Sequence, residues 1–133
     1  MITKFFSVIS LGSILLSCSC SGGKKVTPEQ CLGSWEMLDD PTNTKRIILK
    51  PDGIAEFVKL RVRDFGRNEK EALTAKGTWK LMPNNSVIEL WYPFKGGDYG
   101  DAGSLRRENG GLELWFSVGD PDDFVWKRFR LMN

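Results

Sequence analysis

Residues 47–58 read Ile-Ile-Leu-Lys-Pro-Asp-Gly-Ile-Ala-Glu-Phe-Val, so two β-rich runs flank a compact turn. Proline favours the φ near −65° that a tight turn requires, and glycine tolerates a positive φ. We therefore predict a hairpin whose strands cover approximately residues 45–50 and 54–63.

Similar short segments, separated by turn residues, continue in both directions from this hairpin. Pro-Asn-Asn-Ser at 83–86 and Asn-Gly at 109–110 mark further turns between strands. Successive hairpins give an antiparallel meander, and a meander of eight strands removes its exposed edges most simply by closing into a barrel. A two-sheet sandwich is the alternative. The six further predicted strands cover residues 32–38, 76–82, 87–92, 103–108, 112–118 and 124–131.

One short helical turn is predicted before the first strand. Thr27 can cap it, Pro28 suits the first helical position, and Glu29 suits the positive end of the helix dipole. The predicted fold class is therefore all-β, a small eight-stranded up-and-down antiparallel barrel with a short N-terminal helical turn. Two long polar connections are predicted at residues 64–75 and 93–102.

Residues 1–17 have the pattern of an export signal, with Lys4 before an apolar run. That run covers about twelve residues, whereas a helix that crosses a bilayer needs about twenty. Leu15-Leu16-Ser17-Cys18 resembles the bacterial lipobox, which implies that Cys18 carries lipid and anchors the mature chain to a membrane. Residues 18–25 then form a flexible tether, and residues 26–133 form one domain.

Two alternatives to a lipid-anchored Cys18 are lipid on Cys20 and an ordinary secretory peptide. Cys20 lacks the aliphatic residue expected three positions upstream, and an ordinary secretory peptide would leave both cysteines without a role. The residue after Cys18 is Ser19, whereas an aspartate there retains many lipoproteins at the inner membrane. We therefore expect an outer-membrane protein that faces the periplasm, with surface exposure as the alternative.

Composition excludes several functional classes. The chain carries 19 basic and 17 acidic residues, for a formal net charge of +2, and it contains no histidine. Neither sign of charge is concentrated enough to suggest nucleic-acid binding. The absence of histidine removes the most common general base at neutral pH and the most common metal ligand. We therefore predict no enzyme activity, no cofactor and no metal.

The short helical turn followed by Gly33-Ser34-Trp35 resembles the entrance motif of lipocalins. Further matches extend the resemblance over about residues 31–131 to a lipocalin-like family of small gram-negative bacterial lipoproteins. The resemblance implies that Trp35 closes the base of the barrel and that Arg128 or Arg130 packs across its ring. The further matches are Asp52-Gly53, Lys76-Gly77-Thr78-Trp79 and Gly119-Asp120-Pro121-Asp122-Asp123.

Strand parity divides the remaining candidate residues between two faces of the barrel. The predicted outer face carries aromatic residues, among them Trp126, and a basic stripe along the third strand. Such a stripe is usually a solvated face, and its functional interpretation is contact with anionic lipid, anionic glycan or an acidic protein. The predicted interior or ligand-binding residues are Trp79, Leu81, Ile88, Leu90, Tyr92, Leu112, Leu114 and Phe116. The predicted interaction surface comprises Lys59, Arg61, Arg63, Arg67, Trp91 and Trp115.

Carboxylates and one cysteine supply the remaining chemistry. Asp98 and Asp101 could form a pair for glycoside hydrolysis. The three aspartates at 120, 122 and 123 could hold calcium, although turn formation is their more common role. Cys31 suits a small buried apolar position, and a reactive thiol is the alternative.

These observations favour a membrane-anchored module that binds a small apolar ligand or an envelope protein. An eight-stranded barrel is only just wide enough for side chains or one small ligand, so a filled interior would favour protein recognition. One alternative is an inhibitor that inserts residues 64–75 or 93–103 into an envelope enzyme. The other is a hydrolase that uses Asp98, Asp101 or the aspartates at 120–123.

Overall fold

The computed structural model describes residues 25–67, 69–73, 76–118 and 125–132. They form a closed barrel in which each strand pairs with the next in the chain and the last pairs with the first. Every pairing is antiparallel, which confirms the predicted eight-stranded up-and-down barrel and shows that the sandwich alternative is wrong. The strands are β1 (Gly33–Met37), β2 (Arg46–Leu49), β3 (Ile54–Val58), β4 (Gly77–Leu81), β5 (Val87–Phe94), β6 (Gly97–Glu108), β7 (Gly111–Ser117) and β8 (Trp126–Met132).

Three sets of predictions lie outside the described residues. They concern the export signal, the lipid site at Cys18 and the aspartates at 120–123. Within the part of the chain that is described, no helix is both long enough and apolar enough to cross a membrane.

The up-and-down order places alternate connections at opposite ends of the barrel. We call the end with the turns at 50–53, 82–86 and 109–110 the base, and the opposite end the rim. A 3-10 turn (Pro28–Cys31) lies at the base, where Thr27 caps it in a capping box with Gln30. Asn85 Nδ2 donates to the Val26 carbonyl at 2.6 Å, so the start of the domain is fastened to the base.

The predicted loop at 93–102 is wrong, because β5 and β6 continue through it as one long hairpin. Phe94 pairs with Gly97, and only Lys95 and Gly96 form the turn, both with a positive φ. This two-residue geometry suits the right-handed twist of the flanking strands. The glycine-rich composition is typical of a loop, but at two glycines of β6, Gly100 and Gly103, an aromatic ring occupies the space that a side chain would need. A Cβ at Gly100 would lie 2.7 Å from the Trp91 ring, and a Cβ at Gly103 would lie 2.8 Å from the Phe116 ring.

The predicted third strand is also too long. β3 ends at Val58, and Lys59 adopts a φ of 55° that takes the chain out of the sheet. Residues Val62–Phe65 then form a second 3-10 turn, while Arg61 makes an isolated bridge with Ala72. The basic residues at 59, 61 and 63 therefore do not form a stripe on one face of a strand, which corrects that prediction.

The 59–76 connection contributes to the core of the barrel. Leu60, Val62 and Phe65 are all at most 3% exposed, as are most of the inward side chains of the strands. Burial of apolar surface at about 25 cal/mol per Å² makes this packing a main source of stability. Side chains of the barrel strands and of the 59–76 connection therefore form the core together.

Candidate functional site

The barrel interior is filled by aromatic side chains. The Phe65 ring centroid lies 5.9 Å from Phe57, 5.7 Å from Tyr92 and 5.2 Å from Phe116. It also stacks on Phe129 at 6.0 Å. Phe65 therefore occupies the space where an apolar ligand would lie in a hollow barrel of this size.

The eight predicted interior residues lie in or against this core. Seven are buried, and Leu81 is partly buried and packs against the same cluster. Two of them also form hydrogen bonds: Trp79 Nε1 donates to the Lys50 carbonyl at 2.8 Å, and the Tyr92 hydroxyl donates to Asp101. A role for these residues in ligand binding stays a prediction.

The predicted packing of an arginine across Trp35 is wrong. Trp35 is fully buried next to Gly33, and its Nε1 donates to the Cys31 carbonyl at 2.9 Å. Arg128 instead lies over the Trp115 ring at 5.6 Å, and Arg130 pairs with Glu113 at 3.1 Å. The two arginines flank the buried Phe129 on β8, so strand alternation points them outward, away from Trp35.

Ion pairs fasten the 59–76 connection to the rim, and three of them are 3.2 Å or shorter. Lys45 Nζ lies 3.2 Å from the buried Asp64 carboxylate, and Lys95 Nζ lies 2.9 Å from Glu69. The third pair joins Arg67 to Asp101 at 3.0 Å. Arg67 was predicted to extend a basic stripe, but it turns toward the barrel and lies 4.5 Å above the Tyr99 ring.

Asp101 is a partly buried carboxylate in this rim network. Burial raises the pKa of Asp101, although hydrogen bonding to Tyr92 and the charge of Arg67 act in the opposite direction. Burial also raises the pKa of Tyr92, and the adjacent Asp101 raises it further. Both Asp101 oxygens have partners, so this group closes the rim rather than presenting a free carboxylate.

The predicted carboxylate pair is not formed. Asp101 pairs in register with the buried Leu90, whereas Asp98 pairs with Pro93 and is exposed. Positions 98 and 101 have opposite parity on β6, so their side chains point to opposite faces. Among the described residues, no group of three Cys, Asp or Glu side chains could hold a metal ion.

Cys31 lies in the buried base of the barrel. Burial, with a smaller contribution from the charge of Glu29, raises the pKa of the Cys31 thiol to about 11. The thiolate is the nucleophilic form of cysteine, so Cys31 is unreactive at neutral pH.

On the outer face of β6, β7 and β8, aromatic and basic side chains contact one another. The Arg106 guanidinium lies 4.2 Å from the Trp115 centroid and 5.5 Å from the Trp126 centroid. Trp115 Nε1 also donates to Glu113 at 2.9 Å. Trp115 is thus engaged within its own barrel wall, although it was predicted as part of an interaction surface.

Trp91 differs from Trp115 because it is exposed on the outer face of the wall formed by β4, β5 and β6. It is 45% exposed, and within the described part of the chain its indole makes one hydrogen bond, a long contact of 3.4 Å from Nε1 to Glu89. One cleft of about 250 Å³ lies on its β6 side, lined by Glu89, Trp91, Gly100, Asp101 and Ala102. A second cleft of about 340 Å³ lies beside it, with Thr78, Pro93 and Asp98 in its lining.

A third cleft, of about 310 Å³, lies at the base of the barrel. Its lining includes Pro28, Leu32, Trp79 and Leu81. Strand alternation predicts Trp79 and Leu81 to be interior residues, but it does not predict that the N-terminal turn packs beside them. It also missed Glu89, Gly100 and Ala102, because only the long β5–β6 hairpin brings these residues beside Trp91.

A scan against models of known protein families, a search of curated proteins and a search of solved structures each gave no match.

Proposed function

We propose that this chain is a lipid-anchored envelope lipoprotein with a lipocalin-like barrel, which recognises another envelope protein through its outer surface. The observation that carries the proposal is the filled interior, where Phe65 packs against four aromatic rings. An eight-stranded barrel holds either side chains or one small ligand. Recognition then depends on the outer wall, where Trp91 is the exposed aromatic residue.

The proposed lipid on Cys18 supports membrane attachment without any membrane-binding surface on the barrel. Acyl chains contribute about 0.8 kcal/mol per buried methylene, and two chains are enough for stable anchoring. Ser19 after Cys18 favours the outer membrane, with the barrel in the periplasm. Surface display is the alternative orientation.

Two of the alternative functions receive less support. An inhibitor needs a protruding loop, but the 59–76 connection packs into the rim and residues 97–103 belong to β6. A carboxylate hydrolase needs two carboxylates at one site, but Asp98 and Asp101 lie on opposite faces of β6. Binding of a small apolar ligand is the second candidate, and the apolar base cleft beside Trp79 favours it.

Native mass spectrometry separates protein recognition from ligand carriage. The core extends from Val26 to Phe129, so residues 25–133 contain the whole folding unit. This segment, cut at the tether from full-length chain that was purified gently from envelope extract, is expected to appear without a bound small molecule. A reproducible additional mass of a few hundred daltons would contradict protein recognition as the primary function.

A variant locates any such ligand. Leu81→Arg introduces a charge into the base cleft and leaves the Trp91 wall unchanged. If the additional mass disappears in this variant, the ligand occupies the base cleft, and the chain is a carrier of small apolar molecules.

A further inference from the structure

We propose that the smaller cleft beside Trp91 receives an arginine side chain of the partner protein. This inference rests on the proposed function. It names the surface that contacts the partner protein and the partner side chain that binds there. The cleft is defined by Glu89, Trp91, Gly100, Asp101 and Ala102, and we call it the β5–β6 cleft.

The shape of the β5–β6 cleft depends on small residues opposite a large one. Trp91 pairs in register with Gly100, and Glu89 pairs with Ala102. A Cβ at Gly100 would come within 2.7 to 2.9 Å of three carbons of the indole, so only glycine lets the ring lie across β6. The result is a space of about 250 Å³ lined by an indole ring and by two small residues, Gly100 and Ala102, which suits one long side chain.

The charges around this cleft favour a cation. Its lining contains no basic residue among the described residues, and of its two acidic residues only Glu89 lies on the outer face with Trp91, because Asp101 points inward beside the buried Leu90. Arg67 pairs with Asp101 at 3.0 Å, which leaves Glu89 as the carboxylate available to a ligand. Lys80 lies opposite Glu89 on β4, but among the described residues no ion pair joins them.

Arginine fits this combination better than lysine does. A planar guanidinium stacks on an indole face and at the same time donates two parallel hydrogen bonds to a carboxylate. Trp91 provides the indole, and Glu89 lies against it, 3.4 Å from Nε1. Tryptophan and arginine are also the residues that most often dominate the binding energy of protein interfaces.

A titration followed by NMR tests the cleft directly. The probe is N-acetyl-arginine methylamide, added to ¹⁵N-labelled barrel comprising residues 25–133, and the matched control is the neutral citrulline analogue. The five tryptophans provide five indole N–H signals. We expect the Trp91 signal to move with the arginine probe and to stay in place with the citrulline probe, while the other four signals do not move. Equal shifts with both probes would overturn the proposal.

Two variants in the cleft and one outside it sharpen the test. Trp91→Leu removes the π face and Glu89→Gln removes the charge, and each is expected to weaken probe binding about two- to fivefold, as observed for exposed cation–π contacts. In Trp91→Leu, binding is followed on backbone N–H signals of β5 and β6. Trp115→Leu, on β7 and outside the lining of the cleft, should leave binding unchanged. Unchanged binding in both cleft variants would contradict the assignment.

Photo-crosslinking in the full lipid-anchored chain distinguishes failure of this inference from failure of the proposed function. A photoreactive residue at position 102 is expected to link to an envelope protein at a peptide that contains arginine, and Glu89→Gln should lower the yield. Crosslinks from positions 59 and 125 with none from 102 would overturn the cleft assignment but leave protein recognition standing. No crosslink from any position would overturn both.

Discussion

At the scale of single residues, the side chains that pack against a residue determine its structural role where the residue type alone does not. Gly100 and Gly103 lie within a long strand because the rings of Trp91 and Phe116 occupy the space where side chains would be. In sequence they are indistinguishable from turn glycines such as Gly110, whose φ is 80°. Each of these two strand glycines therefore marks a position where an aromatic ring lies close to the backbone, and neither lies in a turn.

Asp40 organises the connection between β1 and β2 and gives a residue-scale prediction. Its carboxylate accepts backbone N–H groups from Thr42, Thr44 and Lys45 and the Thr42 hydroxyl. These hydrogen bonds, the one from Lys45 above all, hold the pKa of Asp40 well below its usual range. The folded state thus favours the charged form, so this stabilisation is present above the unfolded pKa of about 4 and is lost as the pH falls below it.

We therefore expect Asp40→Asn to lower the urea midpoint of unfolding near neutral pH and to have a smaller effect near about pH 3. Asp98→Asn, at an exposed carboxyl on β6, serves as the matched control and should change little at either pH. An equal loss of stability at both pH values in Asp40→Asn would contradict this account of the carboxylate.

At the scale of elements, the 59–76 connection acts as part of the core. Its second 3-10 turn (Val62–Phe65) ends at Gly66, which has a φ of 92° and packs against the backbone of Ser117. Ion pairs hold the connection to the rim, while Phe65 fills the interior. Partly exposed ion pairs contribute little individually, about 0 to 1 kcal/mol, so burial of apolar side chains is the main force that holds the connection in place.

Phe65→Ala tests the role of this element. It is expected to lower the free energy of unfolding by about 3 to 5 kcal/mol, because it leaves a cavity between four aromatic rings. Urea denaturation measures the loss, and the neighbouring exposed Lys59→Ala should stay within about 0.5 kcal/mol of the wild type. A loss near that of the control would show that Phe65 does not fill the core.

At the scale of the whole molecule, the position of the N-terminus orients the barrel. Val26 is fastened to the base by Asn85. At about 3.3 to 3.6 Å per residue, a tether of eight residues reaches at most about 29 Å. If Cys18 carries lipid, the base therefore stays near the membrane, and the Trp91 wall remains open to a partner alongside it.

Membrane fractionation and metabolic lipid labelling test the anchor. The full chain is expected to sediment with the outer membrane and to incorporate labelled palmitate, and Cys18→Ser should abolish the labelling. Cys20→Ser, two residues away, is the matched control and should behave like the wild type. Labelling that survives in Cys18→Ser but is lost in Cys20→Ser would move the lipid site to Cys20.

The sequence by itself determined the number and order of the strands, the N-terminal turn and the turns at 50–53 and 109–110. These features depend on side-chain alternation and on backbone preferences of adjacent residues, which are local properties. Only the tertiary structure decided that residues 59–65 turn into the barrel, that 93–102 is a hairpin, and that Arg128 and Arg130 point away from Trp35. Those outcomes depend on which atoms fill the interior and on the register between strands, and neither can be calculated from local periodicity. The β5–β6 cleft belongs to this second group, because it exists only where Trp91 lies across Gly100.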